Sequence, residues 1–408
     1  MLSRIRDPNI RLVYLAVFLL GTAYGMAIAV LALHLDARGF TKSDIGQLAA
    51  FFASGIVAMS LPVGVLLRRL SAKVTLTASL LGYATTVGLF PVLHSYGAIA
   101  VARFLDGCFS VGIWVSCETI LLLRADDDNK ANVTSLYAMA IAVGYVVGPL
   151  AAKPIAHALS VPATFFVAAS IAALAGVLVL TRLDPEPRGA HRDRATGAGG
   201  GASTPAIRLL ARIRTSCFAT FAYGYFQASV VLFLPLYLIE SKGIGRETTI
   251  VVPAFFAAGM LTFSNAAGRL GDRVGHLRVM RALGSIGLAM ILAFVLLDSF
   301  PPMALAVFVA GATLASISPL SLALQGVVTS RQDTSRANAI YNVFYAAGML
   351  LGPPVSSVIF RRFGGAAMLY HLAALWMAFV IFAAVFASDD PKHREFWFLG
   401  SARRQGAK

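Results

Sequence analysis

Twelve predominantly apolar stretches, one after another, run through this 408-residue chain. Each is about as long as the ~20 residues a helix needs to cross a ~30 Å hydrocarbon core. They cover roughly 12–35, 45–67, 74–93, 97–123, 133–152 and 162–181 in the first half, then 217–239, 250–270, 279–297, 303–328, 339–360 and 366–387 in the second. A membrane-spanning β-barrel would instead show segments of about ten residues alternating apolar and polar, and the sequence has none. With 58% hydrophobic residues, 13% charged residues and a mean hydropathy of +0.76, a water-soluble domain is excluded. The expectation is an all-α membrane protein of twelve transmembrane helices. The first stretch is too long for the core of a signal peptide and lacks a small-residue cleavage site, so it is expected to be retained.

A net charge of +15 suggests an anionic partner, but its distribution has a different cause. If the amino terminus is cytoplasmic and the helices alternate, 26 of the 34 Lys and Arg fall in cytoplasmic segments. Seven fall in outer loops, and Arg103 lies within a helix. Topology follows that bias, so both termini are expected in the cytoplasm. The basic loops face anionic lipid, and no nucleic-acid partner is implied. Cys108, Cys117 and Cys217 lie in or beside apolar stretches as small buried side chains, with neither disulfide nor metal implied.

The chain is also doubled. AFFASG at 50–55 returns as AFFAAG at 254–259, an offset of 204. At the same offset Asp36, Arg38 and Gly39 meet Glu240, Lys242 and Gly243, Gly107 meets Gly311, and GYVVGP at 144–149 meets GMLLGP at 348–353. The expected organisation is a six-helix half over 1–182, a cytoplasmic linker over 183–215, a second half over 216–388 and a cytoplasmic tail over 389–408. The linker, rich in Gly, Pro and charge, has the composition of a flexible tether. Two tandem six-helix repeats around a site near the bilayer midplane are a transporter architecture.

Two motifs sharpen this. AGRLGDRVGHLR, at 267–278, has Gly268, Asp272, Arg273 and Gly275 in the spacing Gly-x-x-x-Asp-Arg-x-Gly. The glycines permit a tight turn, and the carboxylate can face a helix N-terminus or an arginine. In the first half GVLLRRLSAK, at 64–73, keeps Gly64 and Arg69, but puts Arg68 where the acid belongs and Ser71 where the second glycine belongs. Gly144, Gly148 and Pro149, with Gly348, Gly352 and Pro353, place small residues four apart ahead of a proline, suiting close helix packing or a pivot. The loop resembles the signature of the major facilitator superfamily, and the glycine-proline motif resembles that family's antiporter-associated motif. The resemblance extends over essentially the whole chain and points to a bacterial, drug/proton antiporter-like branch. It implies alternating access, with a gating loop at Asp272.

The fourth stretch holds Arg103, Asp106 and Glu118 in RFLDGCFSVGIWVSCE. A charge facing lipid costs about 2.5–3.5 kcal/mol, so these residues should face a cavity or each other. Arg103 and Asp106 are three apart and can pair on one helix face. Two readings stand together: a structural ion pair, or a proton carrier at Asp106 tuned by Arg103. Their register partners, Val307 and Ala310, are apolar. Glu118 lies twelve residues on, at the inner mouth, as a lesser candidate that could also pair with Arg68 or Arg69. The family's cavity is lined by the first and fourth helices of each half, which implies Tyr24, Trp114, Tyr223, Phe226, Gln227, Ser316 and Ser318, with Asn342 from an adjoining helix. His34 and His371 lie at helix ends, where interfacial water is expected.

No metalloprotease, dinucleotide or Walker motif is present, so no enzyme activity, cofactor, metal or ATP is implied. The expected function is proton-coupled export of a small amphipathic or drug-like compound by a monomer in a bacterial cytoplasmic membrane. The alternatives are uptake of a sugar or organic anion, with Arg103 touching the substrate, or a sensor that has lost transport.

Overall fold

The computed structural model describes residues 7–60, 62–125, 130–185, 205–330 and 333–392, with the side chains of a few further residues, Arg68 among them, excluded. Within these, eleven helices are long and apolar enough to cross a membrane. In the first half they are α1 (Pro8–Ala37), α3 (Ala72–Leu89), α4 (Tyr96–Arg124), α5 (Lys130–Ala158) and α6 (Val161–Arg182). The twelfth, α2, is described over Lys42–Ser60 and Pro62–Leu70, on either side of the undescribed residue 61, and its polar start at Lys42, Ser43, Asp44 and Gln47 dilutes its hydropathy. The second half has α7 (Ala206–Lys242), α8 (Val252–Val274), α9 (His276–Leu296), α10, α11 (Thr334–Phe363) and α12 (Gly365–Val385). Helix α10 runs Phe300–Ala310, then one π turn over Gly311–Ala315, then Ser316–Val328. The Gly- and Pro-rich part of the expected linker and most of the tail lie outside the described residues.

The helices start and stop for local reasons. Asp7 caps α1, its carboxylate accepting from the Asn9 backbone N–H at 2.8 Å, with Pro8 in the first turn. Ser95 and Ser160 cap α4 and α6 the same way. Gly243, at φ 65°, ends α7 in the left-handed conformation.

Packing repeats the sequence doubling. Helix α1 lies on α5 as α7 lies on α11, α2 on α4 as α8 on α10, and α3 on α6 as α9 on α12. A Cβ on Gly55 or Gly107 would strike the carbonyl oxygen of Phe104 or Phe52, and one on Gly259 or Gly311 would strike that of Phe308 or Phe256. All four contacts map onto each other at the 204-residue offset. Where small residues let backbones touch, dispersion holds helices together without help from water. The halves meet chiefly through α2 on α11 and, symmetrically, α8 on α5.

Candidate functional site

Between the halves lies a cavity of about 250 Å³. Tyr24, Trp114, Tyr223 and Gln227 line it, whereas Phe226, Ser316, Ser318 and Asn342 do not. Phe226 packs edge-on against Trp376, with ring centroids 5.9 Å apart. Ser316 donates to the Ala312 carbonyl one turn back, Ser318 accepts from or donates to the Tyr341 hydroxyl, and Asn342 is exposed. Four aromatic residues not singled out from sequence, Phe52, Tyr145, Phe256 and Tyr345, join them in a wall that is otherwise mostly aliphatic. Phe52 and Phe256 belong to the duplicated AFFASG and AFFAAG stretches, so the repeat itself was the available signal. Tyr145 and Tyr345 sit on α5 and α11 beside the glycine motifs, and Pro149 also reaches the cavity. Tyr223 stacks on Tyr345 at 6.2 Å, and Tyr345 donates to the Gln227 side-chain carbonyl at 3.1 Å.

Arg103 and Asp106 are each only 6% exposed and form an ion pair through the arginine Nη1 and the aspartate Oδ2. The guanidinium lies 4.4 Å from the centroid of the Phe52 ring, a cation–π contact in a desolvated setting. The two charges are placed differently. Arg103 borders both the central cavity and a small side pocket with Tyr83, Thr86 and Phe165, whereas Asp106 borders the side pocket and not the cavity. Arg103 Nε and Asp106 Oδ1 are buried with no hydrogen-bond partner. Such a pair is held by its own attraction against a large desolvation cost, so any change of charge on one member is felt strongly by the other. Glu118 is exposed nearer the end that carries the termini. Its pairing with Arg68 falls on a side chain outside those described.

The end carrying the α1–α2 and α7–α8 turns is clasped. Asp36 pairs with Arg246 and Lys42 pairs with Glu240, each at 2.8 Å and each across the two halves. These are reciprocal contacts, because Asp36 and Glu240, and likewise Lys42 and Arg246, are register partners. Arg38 and Lys242, also register partners, turn back into their own halves, donating to the carbonyls of Leu93 and Val295. His157 adds a contact to Glu247 at 2.9 Å. At the opposite end no ion pair joins the halves among the described residues.

There Asp272 is exposed and meets His276 of its own half at 3.3 Å. The start of α9 is capped from elsewhere: the Asp390 carboxylate accepts the Leu277 backbone N–H at 2.9 Å. Gly275 adopts φ 103°, and its register partner Ser71 is forced to φ 79°. Arg69 and Arg273 are exposed, and Gly268 has open space around it. Gly144 and Gly148 press on the backbone of α1, and Gly348 and Gly352 on that of α7.

The two histidines differ from expectation. His34 is 4% exposed and edge-on to Phe165 at 5.2 Å, because Phe90 and Phe165 cover the end of α1. His371 sits inside the second half, with its Nε2 3.3 Å from both the Tyr225 and Ser356 hydroxyls.

A two-fold repeat of six helices around an interfacial cavity defines an alternating-access transporter fold. The family model of the Major Facilitator Superfamily matches residues 13–300 and 216–404, and the chain belongs to that family. It is 22% identical over 371 residues to the uncharacterized MFS-type transporter YcaD of Shigella flexneri serotype 5b (strain 8401), covering 90% of this chain and 94% of that one. To YcaD of Salmonella arizonae it is 23% identical over 385 residues, covering 94% and 97%. Among solved structures, the nucleoside transporter NupG superposes with a TM-score of 0.74 at 14% identity over 93% of this chain and 98% of that one. A bacterial homolog of the human lysosomal transporter Spinster, inward-facing and occupied, gives 0.72 at 14% over 98% of each. The human organic anion transporter MFSD10 (TETRAN) gives 0.66 at 14% over 93% and 100%.

Proposed function

We propose that the protein is a proton-coupled secondary transporter of a small aromatic, amphipathic compound, with Asp106 as the proton-loading group. The observation that carries this is the buried Arg103–Asp106 pair, present in one half only, whose arginine lines the cavity while its aspartate lies behind it. Protonation of Asp106 removes the charge that holds Arg103, so proton binding is felt on the cavity side. With both termini in the cytoplasm of a bacterial cell, the clasped end is the outer one and the conformation is inward-facing. Rocking about the motifs at 144–149 and 348–353 would open the clasp. The Asp272 loop would then meet the first half at the inner side, with Glu118 at that mouth.

Export was the direction expected from the antiporter-like motif. One observation favours the alternative in which the arginine contacts an anionic cargo: Arg103 faces the cavity and Asp106 does not. Flux in reconstituted liposomes, screened against a compound panel, tests the reading. Asp106→Asn should abolish transport driven by a pH gradient while leaving counterflow exchange. Undiminished gradient-driven flux in that variant removes Asp106 from the role.

A further inference from the structure

We propose that the cargo is a planar aromatic compound bearing one anionic group, taken up by Arg103 in exchange for its hold on Asp106. The proposal rests on the transport reading above and deepens it. Among the described residues lining the cavity there is no Asp or Glu, and the only formal charge is Arg103. A cationic cargo would meet a guanidinium and no counter-charge, which disfavours it in a desolvated site.

The other polar groups of the wall can also donate. Tyr345 donates to the Gln227 carbonyl, and Gln227, which lines the cavity, keeps its amide N–H groups as donors. The guanidinium has five N–H donors in a planar fork, and Asp106 takes Nη1 while Nε has no partner. A carboxylate matches that fork, and no residue in the wall competes for it. The remaining surface is apolar, with two tyrosine pairs set among aliphatic side chains such as Ile28, Val231 and Met349: Tyr24 tilted against Tyr145 at 5.5 Å on one side, Tyr223 stacked on Tyr345 at 6.2 Å on the other. Rings of this kind accept a planar ring by stacking.

The groups around Asp106 make the exchange a proton-dependent one. Arg103 is on its own helix, α1 presents Tyr24, α3 presents Tyr83, and α6 presents Phe165. Helix α2 contributes Phe52, stacked on the arginine. No second charged group is present among the described residues of that pocket, so when Asp106 takes a proton the arginine is left with an unbalanced charge. A cargo anion restores the balance. Proton and anion therefore bind together, one of each, and the loaded centre carries the same net charge as the empty one.

The test is equilibrium binding of radiolabelled 1-naphthoate to the purified full-length protein, with 1-naphthamide as its neutral isostere and 1-naphthylmethylammonium as a cationic competitor. Naphthoate should bind at least about tenfold more tightly than the amide, the size of one charge-assisted hydrogen bond, and the ammonium should not compete. Affinity should rise as pH falls. Asp106→Asn, which fixes the aspartate position in an uncharged form, should bind naphthoate more tightly than the wild type at high pH and lose the pH dependence. The uncharged pair Arg103→Gln/Asp106→Asn should bind naphthoate and naphthamide equally, which separates charge recognition from a folding defect. Equal affinity for acid and amide in the wild type, competition by the ammonium, or failure of all three probes to bind overturns the proposal. Weaker naphthoate binding in Asp106→Asn overturns the exchange. Because this assay reads binding and the Asp106 test above reads gradient-driven flux, the two readings can fail separately.

Discussion

In the first half α4 carries Arg103 and Asp106 one turn apart beside Gly107. In the second, α10 carries Val307 and Ala310 at the same register, and Gly311 opens a π turn. Both glycines do the same packing work, each pressed on a phenylalanine carbonyl of the helix two before it, Phe52 of α2 or Phe256 of α8. The two copies thus share what holds helices together, and only one of them has what can hold a charge. A π turn inserts an extra residue into the hydrogen-bond ladder and is a frequent mark of functional sites, so α10 is specialised in backbone where α4 is specialised in side chains. The contrast teaches that the halves are alike as mechanical parts and different as chemical ones.

The strongest way to break this comparison is to strand one charge. Arg103→Met leaves Asp106 without its partner in a pocket of Tyr83, Thr86 and Phe165, and breaking a buried pair this way costs about 3–5 kcal/mol. A proton relieves the stranded carboxylate, so the loss should be greatest at high pH and shrink as pH falls. The double change Arg103→Met/Asp106→Leu makes α4 resemble α10 and should recover most of the stability. Thermal unfolding in detergent across pH checks both, and a single variant as stable as the double at high pH would contradict the pairing.

Much of this was legible in the sequence. Helix positions were, because long apolar stretches have one outcome in lipid. The start of α7 was not: it begins at Ala206, ahead of the apolar stretch from Cys217, because Arg208, Arg212 and Arg214 hide it from hydropathy, and Arg214 is held by Asp389 at 2.8 Å. The π turn left no trace, since GATLA is as apolar as its surroundings. At the site, Arg103 and Asp106 were visible because charge is rare in a bilayer. Which uncharged residues face the cavity was not, because apolar residues occupy every side of these helices and no periodicity separates lipid from cavity. Ser316 and Ser318 looked like cavity polar groups, yet they spend their hydroxyls on α10 and α11.

The gate loops sharpen the comparison at smaller amplitude. Ser71 and Gly275 occupy the same register, and both have positive φ with extended ψ, 79° and 155° against 103° and 132°. That region suits glycine, and a side chain there costs about 1–3 kcal/mol. Ser71 recovers part through its hydroxyl, which accepts from the Val74 N–H at 3.4 Å, a long bond that glycine would forgo at a cost of a few tenths of a kcal/mol. Ser71→Gly should therefore stabilise the protein by about 1 kcal/mol. Gly275→Ser should destabilise it by at least as much, since a Cβ there would lie 2.9 Å from the Asp390 carboxylate. A neutral result for both substitutions in thermal unfolding would remove the strain argument.

The smallest expected effect falls where the halves are most alike. Asp36–Arg246 and Lys42–Glu240 are one contact made twice, each half's acid reaching the other half's base, and all four side chains are partly exposed. Pairs of this kind contribute about 0.2–1 kcal/mol each, and only in the clasped state. Breaking both, with Asp36→Asn and Glu240→Gln, should move the balance toward the state open at that end by about twofold to thirtyfold. High salt should have the same sign of effect on the wild type, because exposed pairs are screened. The readout is the reaction of Ala228→Cys, on the cavity wall, with an impermeant thiol reagent added at the clasped end, in a chain whose Cys108, Cys117 and Cys217 have been replaced. The swap Asp36→Arg/Arg246→Asp should restore slow labelling while either single change speeds it. If the two pairs are equivalent by symmetry, breaking either alone should speed labelling to the same extent, and an unequal response would show that the likeness of the halves ends at their clasped turns.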